Sequence, residues 1–368
     1  MKKTLKGIFL LAASVVAMLM INMCVFAATP ITVPTFNTGF EAAKTTIVTY
    51  KSTEYVDGSY AGTIVPLVVS APGTIQVSVN AVTLQKDTYI ELFTDAACTN
   101  RVDSMSFYLG TTSKTEYMSV SYAGTYYLRF ESSSSTYNPP NYTNSFSLGV
   151  AEFSNTVKTI KSGQTMRFWS DDSSDYRLFK YVATSTGMLT VTGNADNSSY
   201  VTLLDSSKKV ISESRSLYSS SSYTGRFAVK KGKTYYLKIY SYCYSTPSAF
   251  KVSQKKITEK SGSKKKKAKT VKAKKTIKGT LINGTGEIDW YKFKVTKKKK
   301  VTITFKSYTD DFTYMEVFNS KGRSIGYCSN CQQVKKLQSV GKLSKGTYYI
   351  KIYKYNKIKG SVYDLKWK

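Results

Sequence analysis

The sequence predicts an all-β protein made of three tandem antiparallel β-sandwich domains of jelly-roll-like form, placed after an N-terminal signal peptide. Two observations support this prediction. Short segments in which apolar and polar residues alternate recur along the chain, whereas no stretch beyond the first residues has the 3.6-residue period of an amphipathic helix. Four kinds of strand-like segment also recur three times in the same order, so the chain repeats one domain.

The first 27 residues have the composition of a secretory signal peptide. Three lysines precede a long apolar stretch, and the small residues Val25 and Ala27 come just before a cleavage position at Ala28. A stretch of this length can also anchor a chain in a membrane without being cleaved, so cleavage and retention both stay open. In either case we expect a secreted, extracellular or cell-surface bacterial protein.

Four segments define the repeat. The first is a pair of alternating strands joined by a short turn, which is the pattern of a β-hairpin. The second is an apolar strand followed by a polar turn, the third is a Tyr-Tyr strand, and the fourth is a closing strand. The copies lie at 64–79, 177–193 and 290–305 for the pair; 88–95, 199–206 and 313–320 for the apolar strand; 124–130, 233–240 and 346–353 for the Tyr-Tyr strand; and 145–150, 249–254 and 362–367 for the closing strand.

The Tyr-Tyr strand reads GTYYLRF, KTYYLKIY and GTYYIKIY in its three copies. Residues two apart in a strand share a face, so Tyr348, Ile350 and Ile352 form one apolar row in the last copy. The opposite face carries an aromatic residue beside a cation. We therefore expect the apolar row to lie in the core of each domain, and we interpret the phrase as framework.

The repeats divide the chain into a signal peptide at 1–27, domain 1 at 28–153, domain 2 at 154–254, a Lys-rich linker at 255–275 and domain 3 at 276–368. The linker has few apolar residues and many like charges, so we expect it to be extended and domain 3 to move freely. Domain 1 runs almost directly into domain 2, and we expect these two domains to pack together.

The third copy contains Asp289-Trp290-Tyr291 at the start of a strand, an Asp before the next alternating strand, and the Gly-Thr-Tyr-Tyr strand. With these residues it resembles the bacterial pre-peptidase C-terminal domain, a small β-sandwich of secreted proteases and other exported proteins. The resemblance is clearest over 279–368, moderate over 160–254 and weak over 28–153. It implies a PPC-like, non-catalytic accessory or binding module, in some members with bound calcium, and it names no ligand.

The chain has no histidine, which excludes Ser-His-Asp and Cys-His catalysis and nearly all catalytic zinc sites. A hydrolase with paired carboxylates is compatible with the composition, and Asp171, Asp172 and Asp175 are its candidates. The three repeats leave no segment for a separate catalytic domain. We therefore expect a protein that is not an enzyme and that requires no cofactor.

Four cysteines follow the signal segment. Cys328 and Cys331 form a C-x-x-C pair, which predicts either a local disulfide or two free thiols, and which has too few ligands for a structural zinc site. Cys98 and Cys243 occupy unrelated positions in different repeats, so the fold does not require them to pair.

Acidic and amide residues cluster in the loop before the second segment of the repeat. Asp196 in domain 2 and Asp310 with Asp311 in domain 3 are candidate calcium ligands, because calcium prefers several oxygen atoms that converge on one point. The alternative is that Asp and Asn favour turns by bonding to their own backbone.

The loop after the Tyr-Tyr strand contains tyrosine with Ser, Asn or Pro in all three copies. Exposed loop tyrosines offer a rigid apolar face and a polar tip, which suit sugar rings or a protein partner. The alternative is an ordinary polar connection. The candidate ligand contacts are Tyr137, Tyr142, Tyr242, Tyr244 and Tyr355.

The net charge of +31 is concentrated at the C-terminal end, where residues 254–368 contain 31 Lys and Arg against 7 Asp and Glu. Such a field attracts polyanions without selecting one. Nucleic acid is a poor candidate, because no aromatic residues interrupt the run 264–269 and the signal segment directs the chain outwards. Anionic cell-wall polymers are the better partners.

Together these observations predict a secreted or cell-surface non-catalytic binding and adhesion protein. Its loops would contact glycan or a host or neighbouring-cell protein, and its basic third would associate with anionic envelope polymers. The alternative is a structural protein that assembles through stacked sandwich domains, and a hydrolase is third. The sequence leaves the ligand, the cysteine redox state and the oligomeric state open.

Overall fold

The computed structural model of the protein describes residues 30–33, 44–51, 63–132, 143–170, 174–193, 199–217, 224–241, 247–258, 261–309, 311–330 and 333–368. Within these ranges the chain forms 27 β-strands and one short 3-10 helix. No helix in these ranges is long and apolar enough to cross a membrane. The segment interpreted as a signal peptide lies outside them, so that interpretation stays a prediction.

Domain 1 forms two sheets with the strand orders β1-β3-β8-β5-β6 and β2-β9-β4-β7. Strands β1 and β3 run parallel, and the other described pairs are antiparallel. One apolar core lies between the two sheets. The strands are β1 (Ile31–Thr32), β2 (Lys44–Lys51), β3 (Thr63–Val69), β4 (Gly73–Thr83), β5 (Thr88–Phe93), β6 (Arg101–Phe107), β7 (Ser113–Val120), β8 (Gly124–Ser132) and β9 (Thr143–Ser154).

Domain 2 forms sheets with the orders β10-β12-β17-β14-β15 and β11-β18-β13-β16 around a second core. Its first strand again runs parallel to its third. The strands are β10 (Lys158–Ile160), β11 (Thr165–Phe168), β12 (Arg177–Val182), β13 (Gly187–Gly193), β14 (Ser199–Leu204), β15 (Arg215–Leu217), β16 (Thr224–Val229), β17 (Thr234–Ser241) and β18 (Ser248–Lys256).

Domain 3 begins with a 3-10 helix, Lys265–Lys267, and forms sheets with the orders β19-β21-β26-β23-β24 and β20-β27-β22-β25 around a third core. Its first and third strands are also parallel. The strands are β19 (Lys269–Thr270), β20 (Ile277–Leu281), β21 (Asp289–Val295), β22 (Thr302–Ser307), β23 (Thr313–Phe318), β24 (Ser324–Asn330), β25 (Val334–Gln338), β26 (Gly346–Lys354) and β27 (Ser361–Trp367).

All three domains have one topology. Adding nine to a strand number in domain 1 gives the equivalent strand in domain 2, and adding nine again gives the equivalent strand in domain 3. The last eight strands of each domain have the order of a jelly roll, and the first strand extends one sheet. The predicted fold class, an all-β chain of tandem jelly-roll-like sandwiches, is confirmed.

The strand pairs predicted as hairpins are not hairpins. β3 and β4 belong to different sheets, and the same is true of β12 with β13 and of β21 with β22. The short turn between them carries the chain from one sheet to the facing sheet. Alternation shows that each segment is a strand with one buried face, but the partner of that strand comes from a distant part of the sequence.

The Tyr-Tyr strands β8, β17 and β26 lie at the centre of the five-stranded sheets. Their second face is partly exposed, as the pattern indicates. The predicted core row is buried in every copy, and this prediction is confirmed. The buried rows are Tyr126, Leu128 and Phe130; Tyr235, Leu237 and Ile239; and Tyr348, Ile350 and Ile352.

The first tyrosine of each row bonds to the backbone a few residues upstream. The Tyr348 hydroxyl donates to the Ser344 carbonyl at 3.0 Å, and the Tyr235 hydroxyl accepts the Lys230 N–H at 2.9 Å. Tyr126 makes equivalent bonds to the backbone four and five residues before it. A buried hydroxyl requires such a partner. Phenylalanine at this position would remove the hydrogen bond that holds the turn before the strand.

The Lys-rich segment 255–275 is not an extended linker, so that prediction is wrong. Lys255 and Lys256 end β18, and β19 pairs with β21. Ile257 and Val271 are buried, and the Trp367 indole N–H donates to the Val271 carbonyl at 2.8 Å. A few apolar residues placed between lysines fix the segment to domain 3, because the lysine side chains can point to solvent.

Domains 2 and 3 belong to one compact unit, Thr156–Lys368, so the expectation that domain 3 moves freely is wrong. A small apolar cluster joins them, formed by Ala228 of β16, Ile257, Ile282 and Val362 of β27. Apolar burial at such a junction resists separation of the domains. Domain 1 forms its own unit, and the predicted contact between domains 1 and 2 stays a prediction.

Asn283 reinforces the junction between domains 2 and 3 with hydrogen bonds. Its backbone N–H donates to the Ala228 carbonyl at 3.1 Å, and its side-chain oxygen accepts the Ala228 N–H at 2.9 Å. Its side-chain amide donates to the carbonyls of Ile211 and Ile358. A Cβ at Gly360 would lie 1.8 Å from the Asn283 oxygen, so glycine is required beside it.

Candidate ligand-binding surfaces

Three tyrosines stack across the outer face of the five-stranded sheet in domain 3. Tyr314 in β23 lies directly opposite Tyr353 in β26, with ring centroids 5.4 Å apart. Tyr327 in β24 stacks on Tyr314 at 6.0 Å. The planes of these two ring pairs differ by 22° and 28°. We refer to Tyr327, Tyr314 and Tyr353 as the tyrosine ladder.

The ladder follows from the alternation of β23. Met315 and Val317 point into the core, so Tyr314 is on the outer face of the same strand. Cross-strand aromatic pairs on one face stabilise neighbouring strands. A cation flanks the ladder, because the Lys351 ammonium lies 4.5 Å from the centroid of the Tyr353 ring.

Tyr327 is the accessible end of the ladder. It is 52% exposed and lies on β24, the edge strand of the described sheet. One face of its ring stacks on Tyr314, so the other face is turned away from the ladder. Burial, the negative charge of Glu316 and the neighbouring tyrosines raise the pKa of Tyr327 and Tyr353 above the ordinary value, so both hydroxyls are protonated donors at neutral pH. A free ring face beside hydroxyl donors and a lysine is suited to a sugar ring.

The equivalent faces of the other domains carry a smaller part of this arrangement. In domain 2, Tyr200 and Tyr240 stack at 5.1 Å with planes 17° apart. In domain 1, Tyr89 lies opposite Glu131. Glu91 of that face forms salt bridges with two arginines, Arg101 at 2.8 Å and Arg129 at 2.6 Å. The aromatic surface is therefore most developed in domain 3.

A second candidate surface is a cleft of about 490 Å³ between domains 2 and 3. Lys230, Lys231 and Lys256 line it, and none of them forms a salt bridge with an acidic residue in the part of the chain that the structure describes. Glu287 is the described acidic residue in the lining, and its carboxylate accepts the Ile282 N–H at 2.9 Å. Serine and threonine side chains complete the wall. We refer to this feature as the lysine cleft.

Asp311, a predicted calcium ligand, has a different role. It is buried, one carboxylate oxygen pairs with the Arg215 guanidinium, and the other accepts the Gly360 N–H at 2.9 Å. Burial raises the pKa of Asp311, although the Arg215 charge opposes this shift. A guanidinium at the carboxylate opposes a second cation, so calcium binding by Asp311 does not fit. Asp196 and Asp310 lie outside the described residues.

No group of three or more His, Cys, Asp or Glu side chains placed to hold a metal ion occurs in the described ranges. Asp175, one candidate for a paired-carboxylate centre, forms a salt bridge with Arg177. Asp171 and Asp172 lie outside these ranges. The Arg177 guanidinium occupies the Asp175 carboxylate, so this carboxylate is not a free ligand for a metal or a substrate.

Of the predicted ligand-binding loops, the structure describes the one in domain 3. Tyr355 is 81% exposed at its tip. The rest of this loop contacts domain 2, because the Lys359 ammonium pairs with Glu213 at 3.0 Å and the Lys354 ammonium donates to the Lys359 carbonyl at 2.6 Å. The loop is therefore partly a domain junction. The other candidates, Tyr137, Tyr142, Tyr242 and Tyr244, lie outside the described residues.

Cys328 is a free, half-buried thiol that packs against the core of domain 3. Burial raises the pKa of this thiol to about 11, so it is unreactive at neutral pH. Cys331 lies outside the described residues, and because the Cys328 thiol is free, the predicted disulfide between them is not present in the structure. Cys98 is also a free, half-buried thiol whose pKa burial raises.

The tyrosine ladder was not predicted from the sequence. The outer faces of the strands have the pattern of solvated framework, and the predicted contacts were in the loops. The available signal was a tyrosine at the second position of the segments at 88–95, 199–206 and 313–320. That tyrosine alternates with core residues and so must face outwards, but only strand pairing shows which other tyrosines lie beside it.

Comparisons with known proteins place residues 287–354 in the bacterial pre-peptidase C-terminal domain family. A solved pre-peptidase C-terminal domain of a collagenase from Bacillus anthracis is 26% identical, covering 27% of this chain and 94% of that chain, with a TM-score of 0.24. The tandem CBM22 domains of Paenibacillus barcinonensis Xyn10C are 10% identical over 56% of this chain and 87% of that chain, with a TM-score of 0.19.

The tandem CBM51 modules of a family 98 glycoside hydrolase from Streptococcus pneumoniae are 11% identical over 55% of this chain and 88% of that chain, with a TM-score of 0.20. No curated protein matches the sequence. The family match covers the Asp-Trp-Tyr strand and the last Tyr-Tyr strand, which are the residues on which the resemblance rests. The C-terminal region of the chain contains a PPC-like domain.

Proposed function

We propose that this protein is a secreted or cell-surface, non-catalytic binding and adhesion protein that contacts glycan through the tyrosine ladder of its PPC-like domain. The exposed ring of Tyr327 at the end of a stacked row, with Lys351 at the other end, is the observation that supports this proposal most directly. It replaces the loops with a sheet face as the principal contact surface.

The chemistry of the ladder favours a sugar over an apolar ligand. An aromatic face stacks on the C–H groups of a sugar ring, and phenol hydroxyls bond to sugar hydroxyls. Tyr314 and Tyr353 are held by their neighbours on both sides, so little conformational entropy is lost on binding. Lys351 offers an ammonium donor and Glu316, directly opposite it, offers carboxylate acceptors, so the ladder favours a glycan with several free hydroxyls. A host or neighbouring-cell protein with such a glycan is the corresponding partner.

The same proposal extends to anionic cell-wall polymers. The lysine cleft offers three ammonium groups with hydroxyl donors beside them, and the C-terminal third carries most of the net charge. A polymer of repeated anionic groups gains from several such contacts, each weakened by salt. We infer that this association holds the protein at the envelope and requires no cofactor. The binding test is carried out with and without calcium.

The test is a glycan and polyanion array probed with the chain from residue 28 onwards, at two salt concentrations, with and without calcium. Affinity for a bound glycan is then measured for Tyr327→Ala and for Tyr355→Ala. We expect Tyr327→Ala to weaken binding about tenfold, since one aromatic stacking contact contributes about 1 kcal/mol. Tyr355→Ala is the matched control, an exposed tyrosine on a loop of the same domain.

The control also tests the hypothesis that loops bind the ligand. If Tyr355→Ala weakens binding and Tyr327→Ala does not, the ladder is not the contact surface. If no glycan binds and the protein instead forms concentration-dependent polymers, the alternative of a structural assembly protein replaces the proposal. High salt should remove the polyanion signals while it preserves the ladder-dependent glycan signals.

A further inference from the structure

The core of domain 3 is open on one side, where the cores of domains 1 and 2 are closed. In domain 2 the edge strands β15 and β16 place Leu217 and Phe227 in the core with almost no exposure. In domain 3 the equivalent strands are β24 and β25. Ile325 of β24 is 41% exposed, and Leu337 of β25 is only partly buried.

Strand register identifies the substitutions that open this side. The residue opposite Ile75 in domain 1, Leu189 in domain 2 or Ile303 in domain 3 is Met118, Phe227 or Leu337 respectively. The residue two positions further along the same strand is Val120, Val229 or Ser339. Domain 3 therefore has a smaller residue than domain 2 at both positions.

The result is an apolar groove of about 410 Å³ in domain 3. The core residues Phe293, Ile303 and Val317 lie at its base, where they are almost fully buried. Ile325 and Leu337 form its walls. A well-packed interior seldom leaves such a space, and small-molecule sites typically have volumes of about 300–1,000 Å³ with mostly apolar walls. We refer to this feature as the apolar groove.

The polar groups of the apolar groove lie along its 338–342 side. Lys342 is the charged residue among the described residues that line it, and none of these residues is acidic. The Ser339 hydroxyl is already bonded, since it accepts the Val301 N–H and donates to the Gly341 carbonyl. The groove thus combines an apolar interior with one cation at its rim, which is complementary to an aliphatic chain that ends in an anion.

We propose that the apolar groove binds a long-chain fatty acid, with the alkyl chain along Ile325, Leu337 and Leu343 and the carboxylate near Lys342. The volume lies near the lower end of the usual range, which suits one alkyl chain and excludes a diacyl lipid. Burial of the chain supplies most of the affinity, because the hydrophobic effect scales with apolar area. This site is independent of the tyrosine ladder.

The test uses the chain from residue 28 onwards and a fluorescent fatty acid, displaced by palmitate and, in a parallel series, by hexadecanol. We expect saturable binding with one site per chain. Leu337→Phe introduces the residue that domain 2 has at this position, fills the groove and should weaken binding at least tenfold. Val334→Phe adds the same ring to the same strand outside the groove lining and should leave binding unchanged.

A Lys342 variant distinguishes recognition of the anionic head from binding of the alkyl chain. Lys342→Gln should weaken binding of palmitate about two- to fivefold, as expected for one exposed ion pair, and leave hexadecanol unchanged. Ile325→Glu, which places a carboxylate on the wall, is a second blocking variant in case Leu337→Phe alters folding. Thermal unfolding of each variant shows whether the domain is intact.

Some results would overturn the proposal. These are absence of saturable binding to the wild-type protein, binding by Leu337→Phe at wild-type affinity, or equal loss in Val334→Phe. If hexadecanol binds as well as palmitate and Lys342→Gln changes neither, the occupant is an apolar molecule without an anionic head. Tyr327→Ala should retain fatty acid binding, so failure of this site and failure of the glycan surface are distinguishable.

Discussion

Domains 2 and 3 have the same strand order, but they complete their cores in different ways. Domain 2 closes its edge with Phe227 and Val229, whereas domain 3 has Leu337 and Ser339 at the equivalent positions. The central strands of both domains retain their buried rows. The comparison shows that the inner strands determine the topology, while the edge positions can change without loss of the fold and so can acquire a ligand.

The outer faces of the two domains differ in a related way. Domain 2 has one stacked pair, Tyr200 with Tyr240, and domain 3 adds Tyr327 from its edge strand to the equivalent pair. Both specialised features of domain 3, the tyrosine ladder and the apolar groove, therefore depend on β24. An edge strand tolerates substitution because fewer neighbours constrain it.

The largest expected effect is a difference in stability between variants at the closed edge of domain 2 and variants at the open edge of domain 3. Phe227→Ala should lower the free energy of unfolding by about 3–5 kcal/mol, because it leaves a cavity in a closed core. Leu337→Ala, at the equivalent position, should cost about 1 kcal/mol, because the side chain is already half-exposed. Guanidinium unfolding followed by tryptophan fluorescence measures both. Equal losses would show that the edge of domain 3 is closed in solution.

A smaller effect concerns one buried position at the end of the central strand. Domain 2 has Ser241 there, and domain 3 has Lys354. Burial lowers the pKa of Lys354 to about 8, from an ordinary value of 10.5. The folded state therefore favours the neutral amine, so this group adds stability as the pH rises from about 8 to about 10.5, by up to about 3 kcal/mol. The contribution is lost as the pH falls through about 8.

Lys354→Met isolates this pH dependence from other titrations. The difference in the free energy of unfolding between wild type and Lys354→Met should change with pH in that window and be constant at lower pH. Ser241→Ala in domain 2, a buried neutral position, is the control that should show no such window. A constant difference across the window would mean that Lys354 titrates normally.

The smallest expected effect concerns a hydrogen bond that domains 2 and 3 share. Tyr235→Phe and Tyr348→Phe each remove one hydroxyl that bonds to the backbone before the central strand. Each should lower the free energy of unfolding by about 1 kcal/mol, and by equal amounts. Denaturant unfolding measures both variants. Clearly unequal losses of stability would indicate that the two turns contribute differently to their domains, despite their shared geometry.

Much of the fold could be predicted because the information is local. Period-two alternation identified the strands, and the recurrence of segments counted the domains. The apolar rows of the Tyr-Tyr strands are buried as expected. The resemblance based on Asp289-Trp290-Tyr291 identified the PPC-like domain correctly. These features depend on residues that are neighbours in sequence.

The candidate sites could not be predicted in the same way. The hairpin and linker predictions failed because strand partners and docking surfaces come from distant residues, as Val271 with Trp367 shows. Asp311 pairs with Arg215 across a domain junction, which no local pattern indicates. Tyr327, Tyr314 and Tyr353 belong to three separate segments and meet only through sheet pairing.

The sequence by itself determined that this protein is a chain of three similar sandwiches with a basic C-terminal third, because composition and periodicity are properties of the chain. The tertiary structure alone decided which side chains meet. It made a Lys-rich segment part of the folded domains, placed a supposed calcium ligand in a salt bridge, and formed an apolar groove beside two smaller residues of an edge strand. The physical reason is that contact energy depends on distance in space, and strand pairing sets that distance independently of separation along the chain.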